Sequence, residues 1–459
     1  MLLTFSVENY RSFRAEETLN LLASRRLGET RGSSHCVEVP GTEEHALRVA
    51  SIYGANGAGK SNLVRALALL ERLVLKGTPP GRPILSEPFR LDEESANAPT
   101  ALELQFLQEG EVFRYGVSYS SNRIHEEWLS VYEGKKERRV FSRVTENDGT
   151  VKVRLARSSQ GAPFSSKMKA LAEVGARPNQ LFLTEVVELD DPEAQGPQLR
   201  RATEWFGSTL IIIRADSRFG MLGEALAVDE SFAGFAAQFL REASTGIADL
   251  VVDSKTIARA EFLATAPKSL LALLHEARGS RVCIENPEGT EVIVDASQGD
   301  SVTLREIVAL HSAKGRQIRL PLHEESDGSR RLLNLLPAFH LADRGRVFVI
   351  DELERSMHPM LARKLVEYFL KTVPDTHSQL IFTTHESTLL DRELLRRDGI
   401  WFAEKDDQGA THLYSLADFK VRKDLRIAKG YLAGRFGAVP FLGGIDRLIE
   451  QQTATEAKR

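Results

Sequence analysis

The sequence predicts an α/β fold: a mixed sheet, an antiparallel β subdomain and a compact helical insertion. Three observations carry this. Short apolar runs at 48–53, 346–350 and 379–384 read as buried parallel strands, because a strand covered on both faces loses the alternation of a half-exposed one. Alternating stretches at 101–106 and 112–119, joined by Gln108-Glu109-Gly110, read as an antiparallel hairpin that 124–132 and 151–155 extend. Helical patterns take over from 190 to 300. The expected division is an N-terminal lobe over 1–189, a helical insertion over 190–304 and a C-terminal lobe over 305–459.

The first element, Leu2 to Val7, is strand-like. The run Arg48 to Tyr53 then feeds Gly54-Ala55-Asn56-Gly57-Ala58-Gly59-Lys60-Ser61, which fits the phosphate-loop pattern G-x-x-x-x-G-K-[ST] at every fixed position. A periodic run from Asn62 to Leu70 follows. Strand, glycine loop and helix are the context that gives this motif meaning. The glycines let backbone N–H groups turn inward around a polyphosphate, and the helix start adds partial positive charge. Asn56, Gly57, Ala58, Gly59, Lys60, Ser61 and Asn62 are the expected ATP-binding set. Lys60 would reach the β- and γ-phosphates, and the Ser61 hydroxyl would ligate Mg²⁺.

The run Arg346 to Ile350 ends in Asp351-Glu352. Asp351 is placed to hold the Mg²⁺ that Ser61 touches, and Glu352 to polarise the attacking water. Gln379 to Thr384 ends in His385, placed to hydrogen-bond the γ-phosphate and that water. An acid pair after an apolar strand is a weak signal alone, and a strand-end histidine is more often structural. A phosphate loop, an acid pair and a histidine at three strand ends reinforce one another. Glu352 and His385 are therefore the expected catalytic residues, with Ser61 and Asp351 the expected metal pair.

Ahead of the acid strand, Glu324-Glu325-Ser326-Asp327-Gly328-Ser329-Arg330-Arg331 opens the apolar helix Leu332 to Phe339. Ser-x-Gly-Ser at a helix start offers a hydroxyl and N–H groups to an anion, though in isolation it is an ordinary cap. In this position it resembles the signature motif of ABC-type ATPases. Leu353-Glu354-Arg355-Ser356-Met357-His358-Pro359 resembles their D-loop. The opening Phe5 to Phe13, with Asn9-Tyr10-Arg11-Ser12-Phe13, is similar to the start of SMC, RecF and related ATPase heads. Gly430 to Pro440 resembles a terminal motif of the RloA-like group of AAA ATPases. Members of that group often occur in bacterial phage-defence loci, and the PARIS-system ATPase and the OLD family are relatives. The resemblance covers 1–130 and 305–445.

This resemblance implies a P-loop NTPase of ABC/SMC-head type that binds ATP and Mg²⁺ and hydrolyses ATP in a head-to-tail homodimer or a larger homo-oligomer. Ser326, Gly328 and Ser329 would face the partner copy's nucleotide, and Arg11 and Ser12 would lie close to their own. Gln180 is the candidate Q-loop glutamine. The resemblance also implies a sensor or regulatory engine of an anti-phage defence complex, controlling a separate effector of the nuclease class and answering a phage-encoded trigger. The alternative is a RecF/SMC-like DNA-repair ATPase that binds nucleic acid. Intact Glu352 and His385 weigh against a scaffold without turnover, and the absence of L-S-G-G-Q weighs against a transporter subunit. The stretch after His385 is too short for an added nuclease domain, and Asp406-Asp407 reads as an exposed turn.

Composition sets the remaining bounds. The 459 residues suffice for two or three domains. Hydrophobic content of 42% and charged content of 27% are those of a soluble globular chain. A net charge of −4 gives no global sign of nucleic acid, and only a local basic surface would serve it. No apolar run approaches the roughly 20 residues of a membrane span. Two cysteines, Cys36 and Cys283, form no C-x-x-C, which fits a reducing cytoplasm and argues against structural zinc. The insertion holds no heptad array, so it lacks the long arms of DNA-tethering heads. Phe232 to Leu240 and Ser269 to Glu276 read there as helices.

Overall fold

A computed structural model describes residues 1–27, 34–156, 164–189, 191–215, 219–268, 271, 281–285, 290–295, 301–341, 344–372, 377–420 and 426–439. The chain forms two compact units. One comprises Met1–Arg214, Asp343–Leu353 and Phe369–Arg459; the other comprises Ala215–Ala342 and Glu354–Tyr368.

In the first unit, Leu210–Ile213, Val347–Ile350, Gln379–Thr383, Val49–Tyr53 and Ile400–Lys405 lie side by side in that order and run parallel. Thr411–Ser415 closes the edge antiparallel to Ile400–Lys405. Ile350 pairs with Ile213 and Phe382, and Thr383 pairs with Ile52, so four strands end together at one edge. Loops leaving the carboxyl edge of such a sheet are where α/β folds bind ligands. Val49–Tyr53, Val347–Ile350 and Gln379–Thr383 are buried at every residue, which is why their sequences read as unbroken apolar runs. Ser51, Thr383 and Gln379 are the polar exceptions, and Gln379 is the largest of them. Its amide donates to the Leu2 and Leu47 carbonyls at 2.9 and 2.8 Å and accepts from the Leu2 N–H at 2.8 Å.

The helix Lys60–Lys76 buries Leu63, Val64, Leu67, Leu70, Leu73 and Val74 at helical spacing. Each such side chain is worth about 1.5–3 kcal/mol on burial. Gly77, at φ 64°, ends the helix and returns its N–H to the Leu73 carbonyl at 3.1 Å. A seven-stranded antiparallel sheet packs into the same core: Val151–Leu155, Lys136–Thr145, Ile124–Glu133, Glu111–Tyr119, Thr100–Gln108, Leu2–Glu8 and Glu17–Asn20, in that order. The ring of Trp205 stacks on Phe106 within this core, with centroids 4.4 Å apart.

The second unit carries the helices Leu222–Val228, Glu230–Glu242, Arg259–Thr265 and Asp327–His340. Glu230–Glu242 buries Phe232, Ala236, Ala237 and Leu240, as the periodicity predicts. The expected helical insertion also carries a sheet. Ile247–Ala258, Ser301–Ala313, Glu291–Asp295 and Arg281–Glu285 form a sheet, with Arg316–Pro321 paired to Ser301–Ala313. Ile247–Ala258 is mostly half-exposed or exposed along its length, so its sequence lacks clean alternation. The expected boundaries at 189/190 and 304/305 also differ from the observed units, because Leu210–Ile213 joins the sheet of the first. The expected helix Ser269 to Glu276 lies outside the described residues, apart from Leu271, as does Pro440 of the terminal motif.

Candidate nucleotide site

The strand Val49–Tyr53 delivers the chain into the glycine loop. A Cβ at Gly54 would come within 2.4 Å of the Ala403 carbonyl oxygen, so the neighbouring strand leaves room only for glycine. Gly57 and Gly59 have φ of 79° and 107°, a region that costs a residue with a Cβ. Lys60 follows, 5% exposed. Its ammonium donates to the carbonyls of Gly54 at 2.8 Å and Ala55 at 3.2 Å. It also lies 3.0 Å from His385 Nε2. An ammonium has no acceptor, so that imidazole nitrogen accepts. The loop lysine and the strand-end histidine therefore meet directly.

The acid strand converges on the same place. Asp351 is 4% exposed, and its Oδ1 accepts from the Ser61 hydroxyl at 3.1 Å and the Thr383 hydroxyl at 2.6 Å. Thr383 is a site residue that sequence reasoning missed. Its oxygen also accepts the Glu352 N–H at 2.8 Å, while its carbonyl accepts the Leu353 N–H at 3.1 Å. Glu352 itself sits at φ 52°. A non-glycine residue there costs on the order of 1–3 kcal/mol and persists only where its surroundings hold it. The two bonds to Thr383 do that, and the carboxylate-bearing residue is fixed beside Asp351.

Ser12 touches the helix start, accepting from Asn62 Nδ2 at 2.8 Å. Arg11 makes a two-pronged pair with Glu87, at 2.9 and 2.7 Å. Gln180 does not serve the site. It is buried at the far end of the loop helix, where its Oε1 accepts the Thr78 N–H at 2.8 Å. Seventeen residues separate the helix ends, a length of about 25 Å at 1.5 Å per residue. The Q-loop assignment is therefore corrected: Gln180 pins the chain at Thr78, just past the helix end.

Ser326, Gly328 and Ser329 lie in the second unit. Ser326 caps the helix Asp327–His340 by accepting the Ser329 N–H at 3.1 Å, and the two hydroxyls are 2.9 Å apart. A Cβ on Gly328 would come within 2.6 Å of the Ser356 carbonyl oxygen. The glycine is thus required by the close approach of the segment that resembles a D-loop. Glu325, just ahead, pairs with His311 at 2.5 Å.

The family model described as "AAA domain, putative AbiEii toxin, Type IV TA system" matches residues 49–179 and 243–391, more than half of the chain. The chain belongs to this AAA family. Its two matched blocks take in the glycine loop, the acid pair and His385 together. An SMC head domain from Thermotoga maritima is similar at 13% identity and a TM-score of 0.34, over 90% of this chain and 98% of that one. No curated protein matches.

For this AAA ATPase, the oxygens of Ser61 and Asp351 fit Mg²⁺, which takes one or two protein oxygens and completes its shell with water and phosphate. Among the described residues no group of three or more His, Cys, Asp or Glu side chains could hold a metal, and none of their helices is long and apolar enough to cross a membrane. Asp406 accepts the N–H groups of Gln408 and Ala410 at 3.0 and 2.8 Å, which makes it a turn residue.

His412 bridges Asp406 at 3.2 Å and Glu17 at 2.8 Å. The hydrogen bond to Asp406, then that to Glu17, raises its pKa above the usual imidazole value. Folding therefore favours the protonated ring. Its contribution to stability is complete below the unfolded value of about 6.5 and disappears as pH rises through the higher folded value. His412→Gln should lower the melting temperature at pH 6 and leave it unchanged at pH 9. An equal loss at both pH values would contradict this.

Proposed function

We propose that this AAA ATPase hydrolyses ATP to ADP and phosphate in a head-to-tail pair of subunits. One observation carries the catalytic part: Asp351 holds the Ser61 hydroxyl while Thr383 fixes Glu352 next to it. In the proposed reaction the loop N–H groups and Lys60 bind and orient the β- and γ-phosphates. Mg²⁺ on Ser61 and Asp351 would neutralise charge on the phosphate oxygens. A water attacks the γ-phosphorus, its proton passes to Glu352, and the bond to the β-phosphate oxygen breaks. His385, already within reach of the Lys60 ammonium, orients the water and the γ-phosphate. Positioning and charge stabilisation supply most of such catalysis.

The pairing part rests on the cap at Ser326 and Ser329, which stands at a helix start as an anion-facing motif does. A two-fold sandwich would bring it to the partner's γ-phosphate. The wider role we propose is a cytoplasmic sensor or regulatory engine of an anti-phage defence complex that controls a separate nuclease-class effector. Two points support that reading: the family's description names a toxin of a type IV toxin–antitoxin system, and the terminal motif packs on the loop strand, with the rings of Tyr431 and Tyr53 5.6 Å apart.

Ser326→Arg tests the pairing. Loss of one electrostatic contact to a developing charge typically costs about 100- to 1,000-fold in turnover. Phosphate release should fall on that scale, while the affinity of a single subunit for ATP stays near wild type. Sedimentation with ATP should show the wild type as a dimer. Undiminished hydrolysis by a species that sediments as a monomer would refute the pairing.

A further inference from the structure

The strand pair Ile400–Lys405 and Thr411–Ser415 lies outside every motif used above, yet it presses on the phosphate loop. Thr411 is 1% exposed. Its Oγ1 is 2.9 Å from the Ala58 carbonyl oxygen and 2.8 Å from Ser12 Oγ, and its N–H donates to the Ser12 carbonyl at 2.7 Å. Ser12 Oγ in turn accepts from Asn62 Nδ2. A Cβ on Gly59 would come within 2.3 Å of Thr411 Oγ1 and 2.9 Å of Ser12 Oγ. The three side chains thus wrap the loop just ahead of Lys60, from three separate parts of the chain.

The donors and acceptors can be placed. The Ala58 carbonyl can only accept, so the single Thr411 hydroxyl proton goes to it. Ser12 then gives its proton to Thr411 Oγ1 and takes one from the Asn62 amide. Every hydroxyl in the chain Asn62–Ser12–Thr411–Ala58 both donates and accepts. The peptide bond after Ala58 is trans, so its C=O and the Gly59 N–H point in opposite directions. Holding the Ala58 oxygen outward against Thr411 turns the Gly59 N–H toward the inner side of the loop, where a phosphate would sit.

We infer that Thr411 is a positioning residue for nucleotide binding: its hydroxyl, relayed through Ser12 to Asn62, sets the direction of a phosphate-binding N–H. The inference rests on the ATP reading above. The Thr411 hydroxyl is buried against the Ala58 carbonyl and Ser12, so its loss should act on binding and not on the chemical step.

Thr411→Val keeps the shape and removes the hydroxyl. It should raise Kd for a non-hydrolysable ATP analogue, and KM for ATP, about tenfold, the scale of one hydrogen bond. kcat should change by less than about twofold. Thr411→Ser should restore affinity, and Ser12→Ala should reproduce the loss. The double variant Thr411→Val/Ser12→Ala should be no weaker than either single one, because both cut one chain of bonds. Melting temperatures without nucleotide separate loss of fold from loss of binding. If Thr411→Val does not fold, Ser12→Ala decides alone. Wild-type affinity in Thr411→Val, or in Ser12→Ala where that variant decides, overturns the inference. So does a loss that Thr411→Ser fails to repair. Absence of binding by the wild-type chain overturns the ATP reading itself, and this inference with it.

Discussion

Lys60→Ala is expected to weaken ATP binding by at least about a hundredfold while leaving the fold in place. The lysine gives its ammonium protons to the Gly54 and Ala55 carbonyls and sits against His385, so it is already aimed across the mouth of the loop. On two phosphate oxygens, each charge-assisted hydrogen bond contributes roughly 1.5–3 kcal/mol, and together they exceed the 2.7 kcal/mol or so of a hundredfold change. Folding should not suffer to match. Alanine is a good helix former at the start of Lys60–Lys76, and removing a buried ammonium also removes its desolvation cost. Calorimetric titration with ATP and Mg²⁺, alongside a melting curve without nucleotide, checks both halves. Affinity within about threefold of wild type would show that Lys60 does not hold the phosphates.

The site was legible where the physics is local. A strand buried on both faces is mostly apolar, so Val49–Tyr53, Val347–Ile350 and Gln379–Thr383 announce themselves, and the polar residues that follow them mark the edge of the sheet. Leu210–Ile213 was not legible. A short apolar run following Trp205-Phe206 fits a helix as well as a strand, and its sheet neighbour Val347 lies far along the chain. The sheet of the second unit failed for a related reason, since Ile247–Ala258 pairs with a strand beginning only at Ser301. Gln180 misled because a glutamine before an apolar run looks the same whether it faces a phosphate or, as here, pins a buried loop N–H at Thr78. Thr383 and Thr411 were invisible as site residues: threonine is common in strands for its branched side chain. Only neighbours brought close by the fold, Asp351 and Glu352 for one and Ala58 and Ser12 for the other, give their hydroxyls a task.

The acid pair offers a separation of binding from chemistry. Glu352→Gln should lower ATP hydrolysis by about 100- to 10,000-fold, the range that general acid–base groups supply. The change preserves size and shape, and the backbone bonds from Glu352 and Leu353 to Thr383 do not involve the altered carboxylate. The left-handed turn at residue 352 therefore stays fixed, and Asp351 keeps its hydroxyl partners. What is lost is the ability to take the water's proton, since an amide oxygen is far too weak a base. Asp351→Asn makes the contrast: it removes a charge that would face Mg²⁺ and should weaken nucleotide binding as well as turnover. Glu352→Gln should bind ATP as the wild type does, so saturating ATP should raise its melting temperature by the wild-type amount. Because the bound nucleotide is not consumed, this variant should also remain in the ATP-paired state in sedimentation, whereas the wild type returns to single subunits as ATP runs out. Hydrolysis at the wild-type rate would remove Glu352 from the role of base. Loss of the ATP-dependent thermal shift would instead place Glu352 in nucleotide binding, so the two results separate a catalytic carboxylate from a binding one.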